Sequence, residues 1–179
     1  MLMKSNSLQQ LLDGNKRFCS NQSSAVNNES LRLDLAQGQS PIASIIRCAD
    51  SRVSPEIVFD QPLGSLFVCG VAGNVPTPEI AESLEYAVGV LKCELIVIMG
   101  HTACGAVGHA LENEVNEGLF SLINLPENPL DDPYEFNALM AIPNLIKLSS
   151  MIEDKVKLGD LKIVAGVYDI ATGKFRVVS

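Results

Sequence analysis

Two short motifs carry the side chains with which this chain could do chemistry. Cys48, Asp50 and Arg52 follow one apolar run, and His101 and Cys104 follow another. Two cysteines and one histidine are good zinc ligands, and a catalytic zinc ion usually takes three protein ligands and keeps one position open. Thiolate and imidazole donors also favour zinc over magnesium or calcium. The sequence therefore predicts a Zn²⁺ site formed by Cys48, His101 and Cys104.

The carboxylate and the guanidinium of the first motif lie where they could control the open position of the metal. Asp50 can accept a proton or a hydrogen bond from a water molecule in the open position of the metal. Arg52 can hold Asp50 away from the metal through a bidentate pair. We therefore predict catalytic roles for Asp50 and Arg52, with Asp50 as a possible fourth ligand when it is not held.

The elements around the motifs predict where these side chains lie. Buried strands are expected at Pro41–Arg47 and Ser65–Cys69, and a third strand at Glu94–Met99. Between the last two we expect a helix that begins at Pro78, with Thr77 as its N-cap. Alternating strands and helices are typical of a parallel sheet with right-handed crossovers. Ligands of such sheets gather beyond the carboxyl ends of the strands. Both motifs should therefore meet at one edge of the sheet.

The expected fold is a single α/β domain over residues 1–179, with a mostly parallel central sheet flanked by helices. The turn ATG before KFRVV predicts an antiparallel edge strand near the C-terminus, and a helical pattern over 136–158 is interrupted at Pro143. Residues 1–40 form a helical arm in this prediction, and 41–179 form the zinc-binding core. Because the helix at 8–18 is short and amphipathic, we expect it to pack on a partner subunit.

Composition excludes several classes of protein. The net charge of −8 argues against a nucleic acid or an anionic membrane as partner, since both need a basic surface. No apolar run reaches the length of a membrane span or a secretion signal, so we expect a cytoplasmic protein. Five scattered cysteines do not form a disulfide framework.

With these residues in place, the sequence resembles the β-class carbonic anhydrases. The similarity is almost continuous from Pro41 to Leu111 and returns in LLDGNKRF and LKIVAGVYDIATGKF near the two ends. The resemblance implies reversible hydration of carbon dioxide to bicarbonate and a proton, by attack of a zinc-bound hydroxide. It also implies a homodimer or a dimer of dimers, and an Asp50 that alternates between Arg52 and the zinc ion.

The small substrate of this reaction predicts an apolar pocket. Val53, Val71 and Ala72 are candidates for its wall, and Gly73 and Gly105 allow the backbone to approach closely. The Gly105 N–H, at the start of a helix, is placed to stabilise a developing oxyanion.

Two alternatives stay open. One is a zinc hydrolase of the same fold that acts on carbonyl sulfide or carbon disulfide, and the other is a non-catalytic zinc-binding protein. Many β-class members carry Arg where this chain has Gly70. We expect the glycine to leave room beside Cys69 and Val71, and to remove a guanidinium that binds bicarbonate in some relatives.

Overall fold

The structure is a computed structural model that describes residues 6–179, so the first five residues of the predicted arm lie outside it. Within that range five strands form one sheet: β1 Ala43–Cys48, β2 Leu66–Val71, β3 Leu95–His101, β4 Lys162–Tyr168 and β5 Phe175–Val177. Their order in the sheet is β2-β1-β3-β4-β5. The pairs β2-β1, β1-β3 and β3-β4 are parallel, and β5 is antiparallel to β4.

Helices cover both faces of the sheet. They are α1 Ser7–Cys19, α2 Glu29–Leu35, α3 Pro55–Val58, α4 Pro78–Gly89, α5 Gly105–Glu112, α6 Pro133–Leu148 and α7 Ser150–Lys157. On one face Ile45, Val97 and Met99 lie in a core shared with α1, α3 and α5, and on the other Ile46 and Ile98 lie in a core shared with α4, α6 and α7. Central strands buried on both faces appear in the sequence as continuous apolar runs, which is why they were predictable. The predicted α/β domain is confirmed.

The C-terminal helices differ from the prediction at Pro143, which lies inside α6. Ala141 and Leu145 are both fully buried on either side of it, so tertiary packing keeps the helix intact despite the lost backbone hydrogen bond. The break falls at Ser149 instead, where the backbone is extended and the hydroxyl accepts a hydrogen bond from Ile152 N. A proline in a helical pattern was therefore a misleading boundary signal.

Two elements near the N-terminal half also differ. The strand predicted as buried at 65–69 is the edge strand β2, and most of its residues are only half-buried. Helix α2 was not predicted, because it has only seven residues and buries none of them. Its start is stabilised by Asn28, whose side chain accepts a hydrogen bond from Leu31 N.

Helix α1 packs on its own chain, and its expected docking on a partner subunit stays a prediction. Leu11 is completely buried in the core that includes Phe59. The Asn15 side chain donates to the carbonyl oxygens of Val58 and Gly173, at 3.0 Å and 2.8 Å. A Cβ atom on Gly14 would lie 1.7 Å from Phe59 O, so only glycine permits this close approach. The helix needs a packed surface, and the chain itself provides it.

None of the helices between residues 6 and 179 combines the length and the apolar character that a bilayer crossing requires.

Candidate metal centre

Sheet topology brings the two motifs together as the sequence predicted. β1 ends at Cys48 and β3 ends at His101, and these strands are parallel neighbours with Arg47 opposite Met99. Their carboxyl ends therefore lie at the same edge. After β3, the chain turns through Ala103 with a positive φ of 53°, which places Cys104 at the start of α5.

The three predicted ligands converge on one point. The ligand atoms of Cys48, His101 and Cys104 all lie within 4.8 Å of one another, and the two sulfur atoms are 3.8 Å apart. All three residues are buried, with at most 4 % of each exposed. Three soft or borderline donors at this spacing suit a zinc-like cation.

The imidazole of His101 has the environment of a metal ligand. Its Nδ1 atom lies 2.9 Å from the carbonyl oxygen of Thr102, which favours the proton on Nδ1. Its Nε2 atom is buried and has no hydrogen-bond partner within residues 6–179. Metal-bound histidines typically donate their second N–H to such a carbonyl. The unpartnered Nε2 atom therefore fits a metal ion among these donors.

The thiol groups of Cys48 and Cys104 shift each other's pKa in opposite directions. The hydrogen bond with Cys104 holds the pKa of the Cys48 thiol well below its usual range, although burial acts in the opposite direction. A hydrogen bond from the Gly73 N–H also lowers that pKa. The bond to Cys48, together with burial, raises the pKa of the Cys104 thiol. One sulfur thus favours the thiolate form, which is the form that ligates metals.

Asp50 and Arg52 lie beside the donors as a bidentate pair. Arg52 Nε donates to Asp50 Oδ1 at 2.9 Å, and Arg52 Nη2 donates to Oδ2 at 2.6 Å. Arg52 Nη2 also donates to the carbonyl oxygen of Ala103 at 3.1 Å, in the loop between His101 and Cys104. The hydrogen bonds from Arg52 to the carboxylate hold the pKa of the Asp50 carboxyl well below its usual range. The carboxylate is therefore ionised and bonded to Arg52.

The residues expected to form the pocket have different environments. Val53 is fully buried in the apolar cluster that contains Cys48 and Cys104, and Val71 packs against that cluster. Gly73 donates its N–H to Cys48 Sγ at 3.2 Å. Two predicted pocket residues lie closer to solvent: Ala72 is half-buried, and Gly105 is exposed as the first residue of α5.

The space beside Gly70 is occupied, contrary to expectation. Gly70 pairs with Arg47 across β1 and β2, and a Cβ atom on Gly70 would lie 3.3 Å from Arg47 Cγ. The Arg47 guanidinium donates to the carbonyl oxygen of Cys48 at 2.6 Å. The expected room beside Gly70 is therefore absent, because the neighbouring strand fills it. The expected loss of a bicarbonate-binding guanidinium at position 70 stays a prediction.

Sequence reasoning missed Asn137, which reaches the site from α6. It is fully buried, and its amide nitrogen donates to the carbonyl oxygen of Gly73 at 2.8 Å. The one signal in the sequence is a polar residue followed by Ala138 and Ala141 on the buried face of that helix. Nothing in the spacing indicates that its partner lies 64 residues earlier.

Comparisons with known proteins agree with this geometry. Residues 43–127 match the family model described as carbonic anhydrase. Carbonic anhydrase 2 of Mycobacterium tuberculosis is 36% identical, over 92% of this chain and 87% of that protein. The β-carbonic anhydrase of Coccomyxa, solved with acetazolamide, superposes with a TM-score of 0.69 at 26% identity, over 96% of this chain and 86% of that one. This chain belongs to the β-carbonic anhydrase family.

A further relative and a further structure extend the similarity. The carbonic anhydrase of Mycolicibacterium smegmatis is 36% identical, over 94% of this chain and 90% of that protein. A β-carbonic anhydrase of Sordaria macrospora, described as tetrameric, has a TM-score of 0.72 at 22% identity, over 97% of this chain and 98% of that one. The latter similarity is one of fold. This chain presents a potential metal site of two cysteines and one histidine.

Proposed function

We propose that this β-carbonic anhydrase family member catalyses the zinc-dependent, reversible hydration of carbon dioxide to bicarbonate and a proton. One observation carries the proposal. Three buried donors, from Cys48, His101 and Cys104, converge within 4.8 Å, while the adjacent carboxylate of Asp50 is bonded to Arg52. Three protein ligands with an exchangeable fourth position are typical of catalytic rather than structural zinc sites.

The ligands and the metal have separate tasks in this proposal. Cys48, His101 and Cys104 would hold Zn²⁺, with His101 binding through Nε2 because Nδ1 faces the Thr102 carbonyl oxygen. When bound, zinc supplies Lewis acidity that lets a water molecule lose its proton near neutral pH. Two thiolates weaken this effect relative to neutral ligands, so we expect activity to rise toward alkaline pH.

Asp50 would orient the attacking water and accept a hydrogen bond from it. The low pKa of Asp50 keeps it an acceptor at all pH values where the enzyme works. Arg52 controls where that carboxylate points, and its additional bond to the Ala103 carbonyl oxygen anchors the pair to the loop between two ligands. A released Asp50 could instead take the fourth position and block water.

The substrate would bind against the apolar side of the centre. Carbon dioxide has no charge and only weak acceptors, so a wall of small apolar groups from Val53, Val71 and Ala72 is the environment that suits it. Gly73, which is buried, adds no side chain to this wall. Gly105 is an exposed residue at the first position of α5, and its N–H would stabilise negative charge on the product oxygen.

We also propose that two copies of the chain associate through the β2 edge. Tyr86 on α4 and Val90, which follows that helix, are 48% and 62% exposed. The centre of the Tyr86 ring lies 6.3 Å from that of the Phe67 ring on β2. An open edge strand flanked by exposed apolar side chains is typically covered in solution. Light scattering at micromolar concentration tests this: Val90→Glu should shift a dimer toward monomer, and an unaltered chain that is already monomeric refutes it.

One purified preparation tests the substrate. Zinc content, carbon dioxide hydration and carbonyl sulfide hydrolysis are measured side by side. We expect about one zinc ion per chain and carbon dioxide as the preferred substrate. Preference for carbonyl sulfide or carbon disulfide would favour the hydrolase alternative, and zinc without either activity would favour a non-catalytic zinc-binding protein.

A further inference from the structure

The side chain of Asn137 joins two loops that flank the metal centre. Its amide nitrogen donates to Gly73 O at 2.8 Å, and its amide oxygen accepts from Asn124 N at 2.9 Å. The residue is completely buried on α6, so neither bond competes with bulk water.

The Gly73 peptide relays this contact to a ligand. Gly73 N donates to Cys48 Sγ at 3.2 Å, while the oxygen of the same residue is held by Asn137. Gly73 has a left-handed φ of 83°, and a Cβ atom there would lie 3.1 Å from Ile123 Cδ1, next to Asn124. The turn is thus held by Asn137 on α6 and flanked by the loop that contains Ile123 and Asn124.

A hydrogen bond to a metal-bound thiolate changes what that sulfur gives the metal. An N–H that points at the sulfur stabilises its negative charge and reduces electron donation to the metal, which then polarises its other ligands more strongly. Such a bond depends on the orientation of the donor peptide. A turn with a left-handed glycine can rotate its peptides unless a neighbour holds them.

We propose that Asn137 is a positioning residue of the metal centre, which fixes the Gly73 peptide so that its N–H stays bonded to the Cys48 sulfur. This inference rests on the proposed metal site and adds a residue from another helix to it. Asn137 contacts neither metal nor substrate and acts through Gly73.

The test uses cobalt(II) in place of zinc, because thiolate-to-cobalt absorption reports directly on the sulfur. The variants Asn137→Leu and Asn137→Ala both lack the amide but differ in volume, so a shared effect is due to the amide. Asn144→Leu is the matched control, since Asn144 lies on the same helix and donates to Asn124 Oδ1 at 3.4 Å without contacting Gly73. Metal affinity is measured in parallel by competition with a chelator.

Both Asn137 variants should bind the metal roughly 10- to 100-fold more weakly. Their thiolate-to-cobalt band should move to longer wavelength, because the sulfur loses its hydrogen bond, and Asn144→Leu should match the unaltered protein. Unchanged affinity and band position in the folded Asn137 variants would overturn the inference. If the unaltered protein takes up no cobalt, the proposed metal site fails as well.

A measurement on the unaltered protein does not depend on the variants folding. In the zinc-loaded chain, amide hydrogen exchange at Gly73 should be strongly protected, as its N–H is bonded to sulfur in a buried turn. Fast exchange at Gly73 would contradict the inference. Cobalt binding without carbon dioxide hydration would contradict the proposed function and leave the role of Asn137 standing.

Discussion

Arg52 holds both oxygens of the Asp50 carboxylate, yet Oδ2 of that carboxylate lies only 4.0 Å from His101 Nε2. The distance places the carboxylate beside the donors without making it one of them. Loss of the Arg52 bonds would therefore free the Asp50 carboxylate to move toward the three donors. Substitutions of Asp50 and Arg52 therefore test the candidate metal centre directly.

Asp50→Ala should retain zinc and lose activity by about 100-fold or more, because it removes an orienting acceptor and leaves the ligands intact. Stopped-flow hydration assays and zinc analysis of the same sample measure the two effects separately. Glu56→Ala is a control on the neighbouring helix α3, since its carboxylate contacts Ser54 instead of the centre. Loss of zinc in Asp50→Ala would mean that it is a ligand.

Arg52→Ala should also lower activity, because the freed Asp50 can then occupy the fourth position. The double change Asp50→Ala with Arg52→Ala should be no worse than Asp50→Ala alone, since there is no carboxylate left to restrain. Additive losses in the double variant would show that Arg52 has a separate role.

Cys48→Ser and Cys104→Ala should each lose most of the bound zinc, because a site with three protein donors has none to spare. Metal analysis after gel filtration measures the loss. Cys69→Ser is the matched control, as this half-buried thiol on β2 lies outside the cluster of donors. Full zinc retention by both variants would show that Cys48 and Cys104 are not zinc ligands.

Acid should weaken the attachment of the N-terminal segment at Asp60. Burial raises the pKa of this carboxyl, but hydrogen bonds from Ala25 N, Arg17 and Ser24 N outweigh it, so the folded-state pKa is lowered. Stability from these bonds is therefore complete above the unfolded value of about 3.9 and is lost as the pH falls through the lower folded value. Asp60→Asn should cost about 1–3 kcal/mol near neutral pH and flatten this acid dependence.

Denaturant unfolding between neutral and acidic pH measures the effect of Asp60. Asp160→Asn is the control, because Asp160 forms an exposed pair with Lys155 at 2.9 Å. Exposed pairs contribute less than about 1 kcal/mol. Equal pH profiles for Asp60→Asn and the unaltered chain would show that the bonds do not stabilise the fold.

Gly14→Ala tests the packing of α1 on its own chain. The added Cβ atom would lie 1.7 Å from Phe59 O, so we expect a loss of about 1–3 kcal/mol in unfolding free energy or more. Gly108→Ala in α5 meets no atom within 4 Å and should be neutral or stabilise by up to about 1 kcal/mol. Thermal and denaturant unfolding compare the two. If Gly14→Ala stabilised the fold, α1 could not pack against Phe59 in this way.

The sequence predicted those parts of the molecule that depend on local patterns. Cys48 and His101 follow continuous apolar runs, and such runs are typical of strands buried in parallel sheets. Thr77 and Pro78 predicted the start of α4, where the Thr77 hydroxyl accepts from Ile80 N. Because parallel strands end at the same edge of a sheet, the sequence also placed these donors together.

Features that depend on distant contacts were not predictable. Pro143 stays helical because of residues buried on both sides, and the surface under α1 comes from α3 and the C-terminal hairpin. Arg47 fills the space beside Gly70 only because two strands pair in that register. Asn137 meets Gly73 across 64 residues of chain.

Stopped-flow carbon dioxide hydration by one preparation, as purified, after metal removal and after zinc is restored, tests the central claim most directly. We expect hydration that disappears with the metal, returns with about one zinc ion per chain, and does not return in Cys104→Ala given the same zinc. Hydration that persists without metal, or a zinc-loaded chain that leaves the spontaneous rate unchanged, would contradict the account.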